Sequence, residues 1–223
     1  MLEAVAEALG RDLLEKLVFV GGCSTALFIT DPVTLEDVRA TDDVDLIIDL
    51  VGYPAWTQLQ KTLTARGFKI SAEDEVICRM RLGSMKVDFM PDDETILGFS
   101  NRWYRAGIET AEPHKLSERF TIRRLTPPLF LATKLEAWIG RGGDDMLGSR
   151  DLEDILLIVD GRPEIVDEVR RAEATARNFI SEQIGLLLKG RDFDDFLAGN
   201  LHGTLARERI VYDRFVQLSR AGD

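Results

Sequence analysis

Three acids, Asp42, Asp43 and Asp45, stand in the stretch TDDVDLII, residues 41–48. The apolar residues around them are β-branched or leucine and alternate with the acids. This predicts a strand with Val44, Leu46 and Ile48 on one side and Asp43, Asp45 and Ile47 on the other. Two carboxylates at i and i+2 of a strand share a face and repel each other unless a proton or a cation stands between them. The strand end therefore faces either water or a cation. Mg²⁺ takes one or two protein carboxylates and fills its remaining positions with water and phosphate oxygens, so the Asp-x-Asp spacing suits it, and Mn²⁺ likewise.

A third acid, Asp88, stands in MKVDFMP (85–91), with Val87 and Phe89 on the opposite face. It either completes a set for in-line displacement at phosphorus or is a solvated strand residue paired with Lys86. Gly21-Gly22 follow the strand-like KLVFV and precede CSTALFI, which can open a helix. Glycines let a backbone approach a phosphate with its amides forward. A helix N-terminus would add a favourable dipole, and Ser24 and Thr25 would add hydroxyls. A plain tight turn explains the glycines equally simply. No GxxxxGK[ST] is present, and no GxGxxG follows a strand.

These residues need a scaffold, and the chain has one to offer. At 223 residues it is long enough for a full core and two small domains. The N-terminal MLEAVAEALGRDLLEKL reads as an amphipathic helix with Leu2, Val5, Ala6, Leu9, Leu13 and Leu17 near one face. Its acids begin at Glu3 and no basic region precedes them, so it does not read as a secretory signal. No apolar run approaches a membrane span. The cytoplasm is the expected location, with no membrane partner. YPAWTQLQKTLTARGF is predicted helical, with Pro54 near its start and Gly67 as its stop. FKISAE, EVICRMRLG and MKVDFMP read as short antiparallel strands, with Gly83-Ser84 as a hairpin turn, and RFTIRRL as one more. From Thr126 the character changes. TPPLFLATKLEAWIGRGG, GSRDLEDILLIVDG and most of the chain beyond them are predicted helical. The sequence thus reads as an α+β part over residues 1–120 and a helical part over 121–223.

Cys23 and Cys78 have no metal spacing and are expected as reduced thiols. His114 and His202 are isolated and expected as surface or cap residues. The net charge is −11, which argues against unaided, non-specific nucleic-acid binding. A local basic patch drawn from Arg119, Arg123, Arg124, Lys134 and Arg141 would change that.

Taken together, VGGCSTAL, TDDVDLII and KVDFM resemble the DNA polymerase β-like nucleotidyltransferase superfamily. TKLEAWIGR and SRDLEDI narrow the resemblance to the AbiEii-type nucleotidyltransferase-like toxins, over roughly residues 17–160. The resemblance implies a nucleotidyltransferase-like mixed sheet flanked by helices, followed by a helical C-terminal domain. It implies that Gly21 and Gly22 cradle a nucleoside triphosphate, and that Asp43, Asp45 and Asp88 hold the metal. Lys134 and Arg141, at i and i+7 of one helix, would contact phosphate. Asp151 and Asp154 match the last motif, where one would orient or deprotonate an acceptor hydroxyl. Solvated helix faces and helix N-terminal charge are the simpler accounts of these four. The sequence departs from the family in two ways. Cys23 stands where many members have serine, and the stretch ITDPVTLEDVRA lengthens the gap before the acids. Arg39 in that stretch is a candidate to face the nucleotide.

The expected activity is Mg²⁺-dependent transfer of NMP from an NTP to an acceptor hydroxyl, on tRNA or protein, within a toxin–antitoxin pair with an antitoxin as partner. Two rivals stand beside it. A non-catalytic nucleotide- or partner-binding module would keep the fold and lose the metal. A metal-dependent nuclease would use the acids without needing Gly21-Gly22 or Lys134.

Overall fold

The computed structural model describes residues 1–222. The chain runs α1 (Leu2–Leu14), β1 (Val18–Val20), a 3₁₀ segment (Gly22–Leu27), α2 (Pro32–Glu36), β2 (Asp43–Ile48), α3 (Gly52–Ala65), β3 (Arg79–Leu82), β4 (Met85–Pro91), α4 (Glu94–Leu97), α5 (Tyr104–Glu109), β5 (Glu112–Lys115) and β6 (Thr121–Arg124). Helices follow to the end: α6 (Pro127–Gly140), α7 (Arg150–Gly161), α8 (Ile165–Arg171), α9 (Ala174–Leu187), α10 (Phe193–Asn200) and α11 (Leu205–Ser219). The fold is α+β, a six-stranded mixed sheet with flanking helices and a helical C-terminal part. No helix among the described residues is long and apolar enough to cross a membrane.

Two compact units are present. The first comprises Met1–Ser24 and Ala40–Thr126, the second Thr25–Arg39 and the chain from Pro127 on. The first unit holds the sheet, ordered β3-β4-β2-β1-β6-β5. β2 runs parallel to β4 and antiparallel to β1, and β3 and β4 form a hairpin through the Gly83 turn. Its core is filled by Phe19, Val44, Leu46, Phe68, Phe89 and Ile122, all fully buried. Phe68 meets Phe89 edge-to-face at 5.4 Å, a favoured quadrupolar geometry.

The second unit is helical, and its caps explain where helices begin. Ser149 accepts from the Leu152 amide at the start of α7, and Glu173 accepts from Thr175 and Ala176 at the start of α9. The segment from Thr25 to Arg39 is tied to the C-terminal end of α7. The amides of Thr30 and Asp31 both donate to the Gly161 carbonyl, at 2.8 and 2.9 Å. Phe28 packs on Phe130 at 4.5 Å between ring centroids. A Cβ at Gly161 would lie 2.7 Å from Ile29 Cγ2, so only glycine admits this approach. Asp160, 5% exposed, accepts from Thr34 Oγ1 at 2.7 Å and from Arg207 Nε at 2.7 Å and Nη2 at 2.8 Å. Arg207 also reaches Asp31 at 3.0 Å. One buried carboxylate thus joins α2, α7 and α11.

Several elements differ from the sequence expectation. FKISAE is not a strand: only Lys69 bridges to Arg81. The chain turns at Ser71–Asp74, where Asp74 is held by Arg81 at 2.7 and 2.9 Å, and strand pairing resumes only at Arg79. CSTALFI forms a six-residue 3₁₀ segment rather than a helix. The stretch 29–40, which lengthens the gap before the acids, contains a short helix: Asp31 caps α2 and Pro32 opens it. Within the C-terminal stretch predicted helical, residues 164–188 form two helices, broken at Ala172, which is extended, with Glu173 capping the second. β5, the polar EPHK, has no apolar alternation to reveal it.

Asp160→Ala leaves Arg207 and Thr34 without their shared acceptor, and removal of one partner of a buried ion pair costs about 3–5 kcal/mol. Urea unfolding of the variant is expected to show a midpoint lowered accordingly; an unchanged midpoint would show that this carboxylate does not fasten α2 and α11 to α7.

Candidate functional site

In the first unit, strand register gathers the acids. Asp45 of β2 lies opposite Val20 of β1 on one side and opposite Asp88 of β4 on the other. Arg79 of β3 lies opposite Asp88. Residues in register on neighbouring strands project to the same face, so Asp45, Asp88 and Arg79 form one row across three strands. Asp43 is two residues back on that face of β2, beside the Lys86 position of β4.

Gly21 follows Val20 and is the reason Asp45 fits. Its φ is +71°, and a Cβ there would lie 1.8 Å from Asp45 Oδ2. The glycine is required both by its left-handed backbone and by the carboxylate packed over it. Ser24 is fully buried and its Oγ donates to the Gly21 carbonyl at 2.8 Å. Cys23 Sγ donates to the Val20 carbonyl at 3.3 Å. These side chains brace the turn, leaving its backbone as the part that can meet a ligand.

Asp88 is buried and its carboxylate is held by Arg79. Nε reaches Oδ1 and Nη2 reaches Oδ2, each at 2.7 Å, and Nη2 lies 3.9 Å from Asp43 Oδ2. The Asp88 hydrogen bond, with the charges of Asp88 and Asp43 behind it, raises the Arg79 pKa above its ordinary value, against the opposing effect of burial. Asp43 is more open, with its side chain 42% exposed. Among the described residues, no three His, Cys, Asp or Glu side chains are gathered as a metal-ligand set. The donors themselves do fit a hard divalent ion. Asp43 and Asp45 would supply the one or two carboxylates that Mg²⁺ typically takes, and the guanidinium beside Asp88 and Asp43 marks a place that draws positive charge.

Behind the row lies Cys78, 2% exposed. Burial, and then the negative charge of Asp88, push its thiol up to about 12. Cys23 is partly exposed. His114, on β5, is half-buried; desolvation and the Arg124 charge lower its pKa.

In the second unit, α6 and α7 bring a second set together. Lys134 is buried, 8% exposed, and its Nζ lies 3.2 Å from Asp151 Oδ1 and 2.6 Å from Asp154 Oδ2. Asp151 and Asp154 are themselves 5% and 1% exposed. Arg141, just past the end of α6, also pairs with Asp151. Arg39 reaches Glu153 at 3.3 Å and Asp154 at 3.5 Å. Three cations thus meet three acids. Lys134, Asp151 and Asp154 are not a solvated helix face or a free N-terminal charge; they are a buried ionic cluster. The i, i+3 spacing of the two acids and the ties from Gly161 to the 25–39 segment are what assemble it.

Arg119 pairs with Glu7 at 2.8 Å, and Arg123 donates to the carbonyls of Ile108, Glu15 and Lys16. These two arginines are engaged with their own unit and do not form a bare basic patch. Sequence reasoning does not single out Arg79 or Glu153. Arg79 alternates with Met80 and Arg81 in a strand whose register cannot be read from sequence, and Glu153 lies inside the SRDLEDI motif without a distinguishing spacing of its own.

A family model described as "Nucleotidyl transferase AbiEii toxin, Type IV TA system" matches residues 7–210 of this chain. No curated protein matches it.

Lys134→Ala would strand two buried carboxylates and is expected to destabilise the chain by about 3–5 kcal/mol, read as a shift in urea unfolding. Separately, iodoacetamide at pH 8 is expected to alkylate Cys23 well ahead of Cys78, because only a thiolate attacks and Cys78 is both buried and held protonated. Mass mapping of the two peptides checks this; equal labelling would refute the burial of Cys78.

Proposed function

The chain belongs to the AbiEii nucleotidyl transferase toxin family of type IV toxin–antitoxin systems, and from that premise we propose that it is a metal-dependent enzyme in which an acceptor hydroxyl on RNA, such as tRNA, or on protein attacks the α-phosphate of an NTP, takes up NMP and releases pyrophosphate. The observation that carries the reading is the acid row, with Asp45 and Asp88 side by side on parallel strands and Asp45 seated over Gly21.

In this reading Asp43 and Asp45 hold Mg²⁺ or Mn²⁺, and Asp88 is their third acid. When bound, such an ion would supply neutralisation of the triphosphate charge and activation of the attacking hydroxyl. Gly21 and Gly22 let the backbone approach the triphosphate with amides forward. Ser24 acts by bracing that turn, since its hydroxyl donates to Gly21. In the second unit Lys134 and Arg141, with Arg39, are assigned to phosphate contact. Asp151 and Asp154 hold the Lys134 ammonium in place through two short contacts, a positioning role. The reaction draws on a pool of NTP, which suits a protein working in the cytoplasm, and the family supplies an antitoxin as its counterpart.

The test is transfer of label from each α-³²P-labelled NTP, with Mg²⁺ or Mn²⁺, into total RNA and total protein. Label entering one fraction, and lost in Asp43→Ala/Asp45→Ala protein of normal fold, is the expected result and names the acceptor class. An RNA acceptor further predicts binding that weakens steeply with salt. No label in either fraction, together with no metal-dependent nucleotide binding, would leave a non-catalytic module.

A further inference from the structure

Arg79 has no assigned part in nucleotidyl transfer, yet its guanidinium lies directly against the acids. Both its Nε and its Nη2 bond Asp88, one to each oxygen, at 2.7 Å. The pair is shielded, with side chains 17% and 10% exposed. Such a bidentate, charge-assisted contact is far stronger than a surface pair. We infer that Arg79 is a built-in counter-cation for the acid row, which a divalent metal must displace from Asp88, so that Arg79 sets how tightly the row loads metal. The inference rests on the proposal that Asp43, Asp45 and Asp88 are the metal ligands.

Three observations support a competing rather than a helping role. A carboxylate that gives both oxygens to one guanidinium has its inward lone pairs filled. A divalent ion brought to Asp88 would also sit next to a like charge, since Arg79 Nη2 is already within 3.9 Å of Asp43. Finally, Arg79 belongs to β3, the edge strand of the sheet, whose outer side is met only by the Lys69 bridge at Arg81 and not at Arg79 itself. No named strand lies beyond β3, so turning the Arg79 side chain away from Asp88 leaves the pairing of β4, β2 and β1 in place. Without metal, the guanidinium balances the charge of Asp88, which stands beside Asp45 in the sheet.

The test is a Mn²⁺ titration of the full chain without nucleotide, with free Mn²⁺ read by electron paramagnetic resonance and the fold checked by circular dichroism. Arg79→Gln is expected to bind Mn²⁺ about tenfold tighter than the unchanged chain. Arg79→Lys keeps the charge but not the fork, so it is expected to fall between, and it carries the comparison if Arg79→Gln does not fold. Affinity unchanged or weakened in the variant that folds, with Asp45→Asn still abolishing binding, would overturn this role for Arg79 and leave the metal site standing. No Mn²⁺ binding by the unchanged chain or by either variant would overturn both.

Discussion

Two carboxylates set side by side on adjacent parallel strands are the constraint around which the first unit is arranged. Asp45 and Asp88 are in register, and like charges directly opposite on a sheet are destabilising. The sheet accommodates them by local means. Arg79 arrives in the same row from the edge strand and neutralises Asp88 with both arms of its guanidinium. Gly21 clears the space over which Asp45 lies, where any Cβ would collide. The polar row stands over a face whose other side is Val44, Leu46, Val87 and Phe89, all fully buried. Alternation in the strands thus puts the acids and the core on opposite sides, and the core fixes the register that the acids resist.

The second unit solves a related problem in the opposite order. There the charges are brought inside, and each is matched. Lys134 serves two acids, and each of those acids serves a second cation, Arg141 or Arg39. A buried ion pair is weak evidence for stability, because desolvation offsets the attraction. Its value lies in specifying one arrangement of α6 against α7. The second buried carboxylate, Asp160, does the same for α2 and α11. Arg39 reaches α7 only because the segment that carries it is tied down at Gly161. Those remote hydrogen bonds therefore belong to the account of the cluster.

The legible part of this chain is the part written in short-range periodicity. The alternation of DVDLII places Asp43 and Asp45 on one face, and the 3.6-residue stripe of GSRDLEDILLIVDG places α7, with Leu152, Ile155, Leu156 and Val159 all buried. Spacing also links Lys134 to Arg141 and Asp151 to Asp154. Register and pairing between distant segments are not written that way. Nothing in EVICRMRLG says that Arg79 rather than Arg81 meets Asp88. Nothing in CSTALFI says that the turn closes as 3₁₀. Gly21 reads as a phosphate cradle, whereas its first physical duty is to make room for Asp45, a contact between two strands that no local pattern encodes. The stretch 68–78 reads as strand because of its β-formers. Its Asp74–Arg81 pair and the turn at Ser71 override that propensity.

The distribution of positive charge bears on how an acceptor would be recognised. The chain carries 28 basic against 39 acidic residues, and the cations beside the named motifs are already matched: Arg79 to Asp88, Lys134 to two aspartates, Arg119 to Glu7, Arg123 to backbone carbonyls. Non-specific attraction of a polyanion depends on unmatched basic residues that replace its counterions. Among these named cations that term is small. An RNA acceptor would have to be held by shape and by contacts to particular nucleotides, as single-stranded ends and loops are. In the proposed reading, a matched cation that meets phosphate would do so by exchanging its carboxylate partner for a phosphate oxygen. Such an exchange keeps each cation paired throughout, and a buried lysine or arginine tolerates that far better than standing alone.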